Sequence, residues 1–331
     1  MTPYLKEGDN VLSVRVDHSR YADSRWYTGS GIYRDVWLIA APEIHLAQWG
    51  TSWHATSLTN RQATIAVDME VQKHIATNDR LELSATLYDT AGKQVAQRRT
   101  RVSDGKEGIT KENLTLKITN PHRWNLDDPY LYTLKTELLS NGQRIDGCET
   151  KVGLRTLKFD PNKGFALNDN WMKVKGVCLH HDAGVLGAVV PPEVWERRLN
   201  NLKEIGVNAI RMSHNPQAPV VYDLCDRLGL LIMDEASDEW EFPKRKWVKG
   251  WNKGEPAYDG SFNFFEEWIE QDVTDMVRRD RNHPSIFMWS IGNEVDYPND
   301  PYSHPILDGS TINQPMFGGY KPDAPDAMRI G

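Results

Sequence analysis

Val207-Asn208-Ala209-Ile210-Arg211-Met212-Ser213-His214 is a short apolar run that ends in polar residues, and Leu230-Leu231-Ile232-Met233-Asp234-Glu235-Ala236 repeats that pattern. Between the two, Val221, Leu224, Cys225 and Leu228 recur at helical spacing and Gly229 follows as the stop. Strand, helix, strand in that order is the repeating unit of a parallel sheet.

The same pattern extends in both directions. Further strands are predicted over residues 172–179 and 285–291. A first helix places Trp195, Leu199, Leu202 and Ile205 on one stripe after Pro191-Pro192. A third, from about residue 262, places Phe265, Trp268, Ile269, Met276 and Val277 at helical spacing. Four strands and three helices thus alternate within residues 157–331, about half of an eight-stranded TIM barrel, which typically takes about 250 residues. The segment after Glu294 is rich in Pro, Gly, Asp and Asn and reads as a long βα loop.

Upstream the period changes to two. Ile65, Val67, Met69 and Val71 alternate with polar neighbours, as do Leu81, Leu83, Ala85 and Leu87, then Leu114, Leu116 and Ile118, then Tyr130, Tyr132 and Leu134. Thr90-Ala91-Gly92 and Ser140-Asn141-Gly142 punctuate these runs, so residues 42–156 are predicted to form an antiparallel sandwich. In residues 1–41 only two strands are expected, at 10–17 with Leu12, Val14 and Val16 on one face, and at 35–40 after Thr28-Gly29-Ser30-Gly31. That is too little for a domain. The fold class is therefore multidomain, β followed by α/β.

Composition narrows the function. The net charge of -7 arises from 39 Lys and Arg against 46 Asp and Glu spread along the chain, without the clustered basic face that nucleic acid requires. No run approaches the roughly 20 apolar residues that span a bilayer, so a soluble protein is expected and the compartment stays open. The three cysteines, Cys148, Cys178 and Cys225, are widely spaced, the latter two in apolar runs, and all are expected to pack as small buried hydrophobes rather than to form a disulfide framework or a metal cluster. Twelve Trp and twelve Tyr supply flat faces of the kind that stack on sugars or fill cores.

Chemistry collects where the barrel strands end, because the loops there converge on one face. The four ends carry His180-His181-Asp182, then Arg211-Met212-Ser213-His214, then Asp234 through Glu239, then Asn293-Glu294. Four polar ends on one face predict a pocket for a polyhydroxylated ligand. A glycosidic bond breaks when a carboxylic acid protonates the leaving oxygen while a second carboxylate attacks the anomeric carbon or activates water. Glu294, ending an apolar strand, suits the first task, with Trp289 and the acidic run expected to raise its pKa and Asn293 to donate to a sugar hydroxyl. The alternative is a strand-end carboxylate paired with an arginine such as Arg211.

At this point two long motifs become decisive. Asn208-Ala209-Ile210-Arg211-Met212-Ser213-His214-Asn215-Pro216, continuing through Leu224-Cys225-Asp226-Arg227-Leu228-Gly229 to Asp234-Glu235-Ala236, resembles the first signature of glycoside hydrolase family 2. Asp280-Arg281-Asn282-His283-Pro284-Ser285-Ile286-Phe287-Met288-Trp289-Ser290-Ile291-Gly292-Asn293-Glu294 resembles the second, which ends in the acid/base glutamate. Ser24-Arg25-Trp26-Tyr27-Thr28-Gly29-Ser30-Gly31-Ile32-Tyr33-Arg34 is similar to the end of that family's sugar-binding jelly roll. The resemblance implies a jelly-roll remnant at 1–41, an immunoglobulin-like sandwich at 42–156 and the first half of the catalytic (β/α)8 barrel at 157–331.

Asp23 and the His-His-Asp stretch look like the β-galactosidase branch, which implies that Asp23, His180, His214 and Asn293 hold galactose hydroxyls of a β-galactoside. Arg211, Glu239 and Trp240 complete the implied substrate set, Arg211 as a pocket electrostatic or a carboxylate partner sooner than as a direct contact. Glu239 also matches a position that binds Mg²⁺ in the family, but Glu241 stands where the resemblance expects a histidine, so no cofactor is expected to be required.

Two departures follow. The family's nucleophilic glutamate, roughly 5 Å from the acid/base, has no counterpart here, and both ends look cut. A half barrel exposes an open strand edge, so pairing with a second copy or with a complementing C-terminal segment is expected.

Overall fold

Residues whose side chains alternate in and out of a core need a partner strand for their backbone groups, and residues 44–152 supply them in full. The structure is a computed structural model that describes residues 2–17, 29–238 and 261–294. The first sheet holds β1 (Ile44–Leu46), β2 (Ser52–Leu58), β3 (Gln62–Lys73) and β6 (Gly108–Thr119). Here β3 pairs antiparallel with β6 along its whole length on one edge, and with β2 and then β1 on the other. The second sheet runs β5 (Gln94–Arg101), β4 (Leu81–Tyr88), β7 (Tyr132–Ser140), β8 (Gln143–Val152), all antiparallel. Ile65, Val67, Met69, Leu83, Leu87, Leu116 and Leu134 fill the space between the sheets, each at most 1% exposed. This is the sandwich that the period-two runs predict.

Three short strands follow as an antiparallel meander, β9 (Leu157–Asp160), β10 (Gly164–Leu167) and β11 (Asn170–Met172). The parallel sheet then begins with β12 (Gly176–Leu179), and α1 (Pro192–Glu204), β13 (Ala209–Met212), α2 (Pro219–Leu228), β14 (Leu231–Glu235), α3 (Phe265–Asp280) and β15 (Ile286–Ser290) complete it in the order β12-β13-β14-β15. It is the first half of a TIM barrel. One face of the sheet packs on the helices through Ile210, Ile232, Trp195, Leu199, Val221 and Leu224.

Several expectations need correction. The strand expected over 172–179 is two strands, because Asn170–Met172 pairs back onto β10 and the barrel strand starts only at Gly176. Residues 10–17 and 35–40 form no strand, since no described segment pairs with them. Ile205 caps α1 and is 77% exposed, and Trp268 on α3 is 48% exposed, so neither joins the core. Only Cys225 is buried; Cys148 on β8 is exposed, and so is Cys178, because alternation along β12 turns Val177 and Leu179 toward the helices instead. Among the described residues, no helix is long and apolar enough to cross a membrane.

Sandwich and barrel are fastened by buried polar contacts. Trp124 is fully buried and its indole N–H donates to the Asp226 carbonyl at 2.8 Å. Arg278 pairs with Glu70 at 2.6 Å, Asn282 donates to the Thr51 carbonyl at 2.9 Å, and Arg155 donates to the carbonyls of Pro284 and Ile286. Gly229 ends α2 at φ 70°, where a Cβ would lie 2.3 Å from the Leu126 carbonyl oxygen. Gly229→Ala should therefore lower stability by at least about 2 kcal/mol, the left-handed backbone and the collision both counting against it. Urea unfolding measures this, and a change below about 0.5 kcal/mol would show that the sandwich does not press on that turn.

Candidate functional site

Register builds the site in layers. Cys178, Arg211, Met233 and Met288 are successive partners across the four strands and occupy the face turned away from the helices. Two residues farther along, Glu235 pairs with Ser290 on that same face. Asp234 lies between these layers and points to the helix side, where it meets Tyr222 of α2.

Glu235 is fully buried and is held as an anion by three groups. Arg211 donates Nε to Oε2 at 2.8 Å and Nη2 to Oε1 at 3.0 Å. His214 Nδ1 lies 2.6 Å from Oε1, and Ser290 donates its hydroxyl to Oε2 at 2.9 Å. Burial pushes the Glu235 pKa up, but the hydrogen bonds from His214 and Arg211 outweigh it and hold the carboxyl below its ordinary value. Burial likewise pulls Arg211 down, and its Glu235 partner more than restores it. A carboxylate only accepts, so Nδ1 of His214 carries the proton and Nε2 faces outward from the pair.

Arg211 Nη2 also donates to Asn293 Oδ1 at 2.9 Å. Asn293 Nδ2 donates to Asp238 Oδ1 at 2.8 Å, and the Asn293 backbone N–H to the Ser237 carbonyl at 2.9 Å. The next residue, Glu294, is exposed and has φ 47°, so the chain turns sharply at the end of the fourth strand. His180 and His214 meet edge to face, with ring centroids 5.2 Å apart. Burial, then His214, lowers the His180 pKa.

Of the residues singled out in the sequence, Arg211, His214 and Asn293 are joined by hydrogen bonds, His180 packs on His214, and Glu294 follows Asn293. Asp23, Glu239 and Trp240 lie outside the described residues. Two expectations about Glu294 change. The Glu294 side chain is exposed, and Trp289, expected to desolvate it, is itself 40% exposed. Arg211 is committed to Glu235 and Asn293. Sequence reading passed over Glu235 as one acid in a run, and also missed Asp238 and Ser290. The available signal was parity, since Arg211 and Glu235 share a face on neighbouring strands.

Behind this layer lies a second one. Asp234 is fully buried, accepts from the Tyr222 hydroxyl at 2.6 Å and lies beside Asp280, which Arg279 grips at 2.7 and 2.6 Å. Burial, then Asp280, pushes the Asp234 pKa up to about 7. Gln217, also fully buried, ties this layer to the His214 loop. Its backbone N–H donates to Tyr222, its carbonyl accepts from Arg279, and its side chain joins the Ser213 carbonyl to His181 Nδ1. Burial, then Arg34, lowers the His181 pKa to about 4, so that ring is neutral.

A third cluster, Asp223, Asp226 and His283, brings donor atoms within 4.8 Å of one another. Hydrogen bonds account for its two inner members. Asp226 accepts from Ser285 N at 3.0 Å and pairs with His283 Nδ1 at 2.6 Å, tethering α2 to the start of β15. Burial opposes the His283 charge, but Asp226 outweighs it and raises the pKa.

Residues 161–305 match the family model described as "Glycosyl hydrolases family 2, TIM barrel domain", and residues 45–155 match "Glycosyl hydrolases family 2". The chain is 45% identical over 298 residues to the β-galactosidase BoGH2A of Bacteroides ovatus, covering 89% of this chain and 33% of that protein. It is 29% identical to a β-glucuronidase of Bacteroides fragilis, covering 91% of this chain and 43% of that one. A crystal structure of a β-glycosidase from Bacteroides vulgatus superposes with a TM-score of 0.76 at 37% identity, covering 89% of this chain and 36% of the other. The chain thus spans well under half of the length of these relatives.

The raised Asp234 pKa fixes the sign of a pH effect. The folded state holds this proton to about 7, whereas the ordinary value is 3.8. The associated stability is complete below about pH 4, declines as the pH rises and is gone above about 7. Asp234→Asn keeps an oxygen to accept from Tyr222 without the charge, so its thermal midpoint should exceed the wild type's by a few degrees at pH 8, with the gap narrowing toward pH 4. A difference that stays constant with pH would place no titrating proton there.

Proposed function

The chain belongs to glycosyl hydrolase family 2, and from that premise we propose that Glu294 is the proton donor of a retaining β-galactosidase acting on terminal β-galactosyl residues. One observation carries this reading. Arg211 and His214 grip the buried Glu235 carboxylate at the C-terminal ends of the parallel strands, Arg211 also holds Asn293, and Glu294 is the residue after Asn293. That face is where barrel enzymes place their chemistry.

The steps divide accordingly. Glu294 gives its proton to the glycosidic oxygen as the bond to the anomeric carbon lengthens, so the departing sugar leaves as a neutral alcohol. A second carboxylate, about 5 Å away, attacks that carbon in a retaining enzyme. It is not among the described residues. His180, His214 and Asn293 hold ring hydroxyls of the galactosyl unit, Arg211 fixes Asn293 and Glu235 in place, and Asp23, Glu239 and Trp240 are added by family resemblance. The position that resembles a Mg²⁺ ligand, Glu239, lies outside the described residues, and no step depends on a metal.

The 45% identity to a β-galactosidase supports galactose over glucuronic acid. In the full-length chain, Glu294→Gln should lower kcat about 10²- to 10⁴-fold on a β-galactoside with an alkyl leaving group, and much less on one whose acidic phenol departs unaided. Equal losses on both substrates would remove Glu294 as the donor. Cleavage of an aryl β-glucuronide with no cleavage of the galactoside would overturn the sugar specificity.

A further inference from the structure

Asn293 and Glu294 meet the sugar in whatever pose their surroundings impose, and the strand pairing continues far enough to set that pose. Past the last registered pair of β14 and β15, the Ala236 N–H still donates to the Ser290 carbonyl at 3.0 Å, and the Asn293 N–H to the Ser237 carbonyl at 2.9 Å. This extension brings the Asp238 carboxylate against the Asn293 amide. Both side chains are at least nine-tenths buried, with Asp238 9% and Asn293 6% exposed.

The chemistry of the partners then fixes the amide. Arg211 has only donors and Asp238, as a carboxylate, only acceptors. With Oδ1 toward Arg211 and Nδ2 toward Asp238, both contacts are satisfied, at 2.9 and 2.8 Å. A flipped amide would set NH₂ against guanidinium and C=O against carboxylate, which loses both bonds and adds two repulsions. Because the next peptide leads into Glu294 at φ 47°, the same clamp also aims the proton donor.

We infer that Asp238 is a positioning residue, which orients Asn293, and through it Glu294, without itself touching the sugar. The inference rests on the glycosidase reading above, and the experiment separates the two. Three forms of the full-length chain are compared, wild type, Asp238→Ala and Asp238→Asn, on an aryl β-galactoside and on its analogues lacking one sugar hydroxyl each. Asp238→Ala should lower kcat/KM about 10- to 100-fold on the parent substrate, in line with the loss of an outer partner of a site residue. Asp238→Asn, whose amide oxygen accepts the same bond, should stay within about threefold of wild type.

The diagnostic is the pattern across analogues. In wild type, removing the hydroxyl held by Asn293 is costly, and in Asp238→Ala the same removal should cost almost nothing further, as for two parts of one interaction. A merely structural role would lower every substrate by the same factor and would leave the discrimination intact. Crystal structures of the variants supply a readout that needs no turnover, since Asn293 should leave its position in Asp238→Ala and keep it in Asp238→Asn. An unmoved Asn293 in Asp238→Ala overturns the inference. If wild type cleaves no glycoside, the functional reading falls, and the crystal structures alone decide the role of Asp238.

Discussion

A carboxylate with no exposure to solvent must be fully partnered, and Glu235 satisfies that demand by drawing in the second and fourth barrel strands. Arg211 and His214 come from the end of β13 and the loop after it, and Ser290 from β15. Arg211, so placed, reaches Asn293, and Asn293 is joined to Asp238. Arg211, His214 and Ser290 thus bond to the Glu235 carboxylate directly, Asn293 is two hydrogen bonds away and Asp238 three, Glu294 follows Asn293, and His180 packs edge to face on His214. The Glu235 charge is met by protein partners. It turns three separate strand ends into one rigid surface.

A second buried carboxyl, one residue earlier, has the opposite character. Asp234 faces the helices, where burial and then Asp280 outweigh the opposing charge of Arg279, and it holds its proton to about pH 7. Adjacent residues on one strand thus differ in protonation because parity sends one to the cationic inner face and the other to the anionic helix layer. Gln217 and Tyr222 link the two layers, so the loop bearing His214 is braced from behind.

Much of this was legible in the sequence. Period-two alternation located β3, β4, β6 and β7, and apolar runs with helical spacing between them located the parallel strands. The polar strand ends and two long signatures identified His180, Arg211, His214, Asn293 and Glu294. What remained hidden depends on pairing across the chain. The break between β11 and β12 follows from a meander that pairs back on itself. Glu235 looked like its neighbours in an acidic run because composition does not record which acid faces an arginine. The anchoring of the barrel on Trp124 and Gly229 was likewise invisible, being set by contacts about a hundred residues apart in sequence.

The central claim is that the ionised, buried Glu235 organises the site, and removing its charge tests it most directly. Glu235→Gln leaves Arg211 partly buried beside a neutral amide, so denaturant unfolding of the full-length chain should show a loss of about 3–5 kcal/mol, the usual cost of breaking a buried pair from one side. Turnover of an aryl β-galactoside should fall at the same time, with Arg211 and Asn293 displaced in the crystal structure of the variant. Wild-type stability together with unmoved Arg211, His214 and Asn293 would contradict the account.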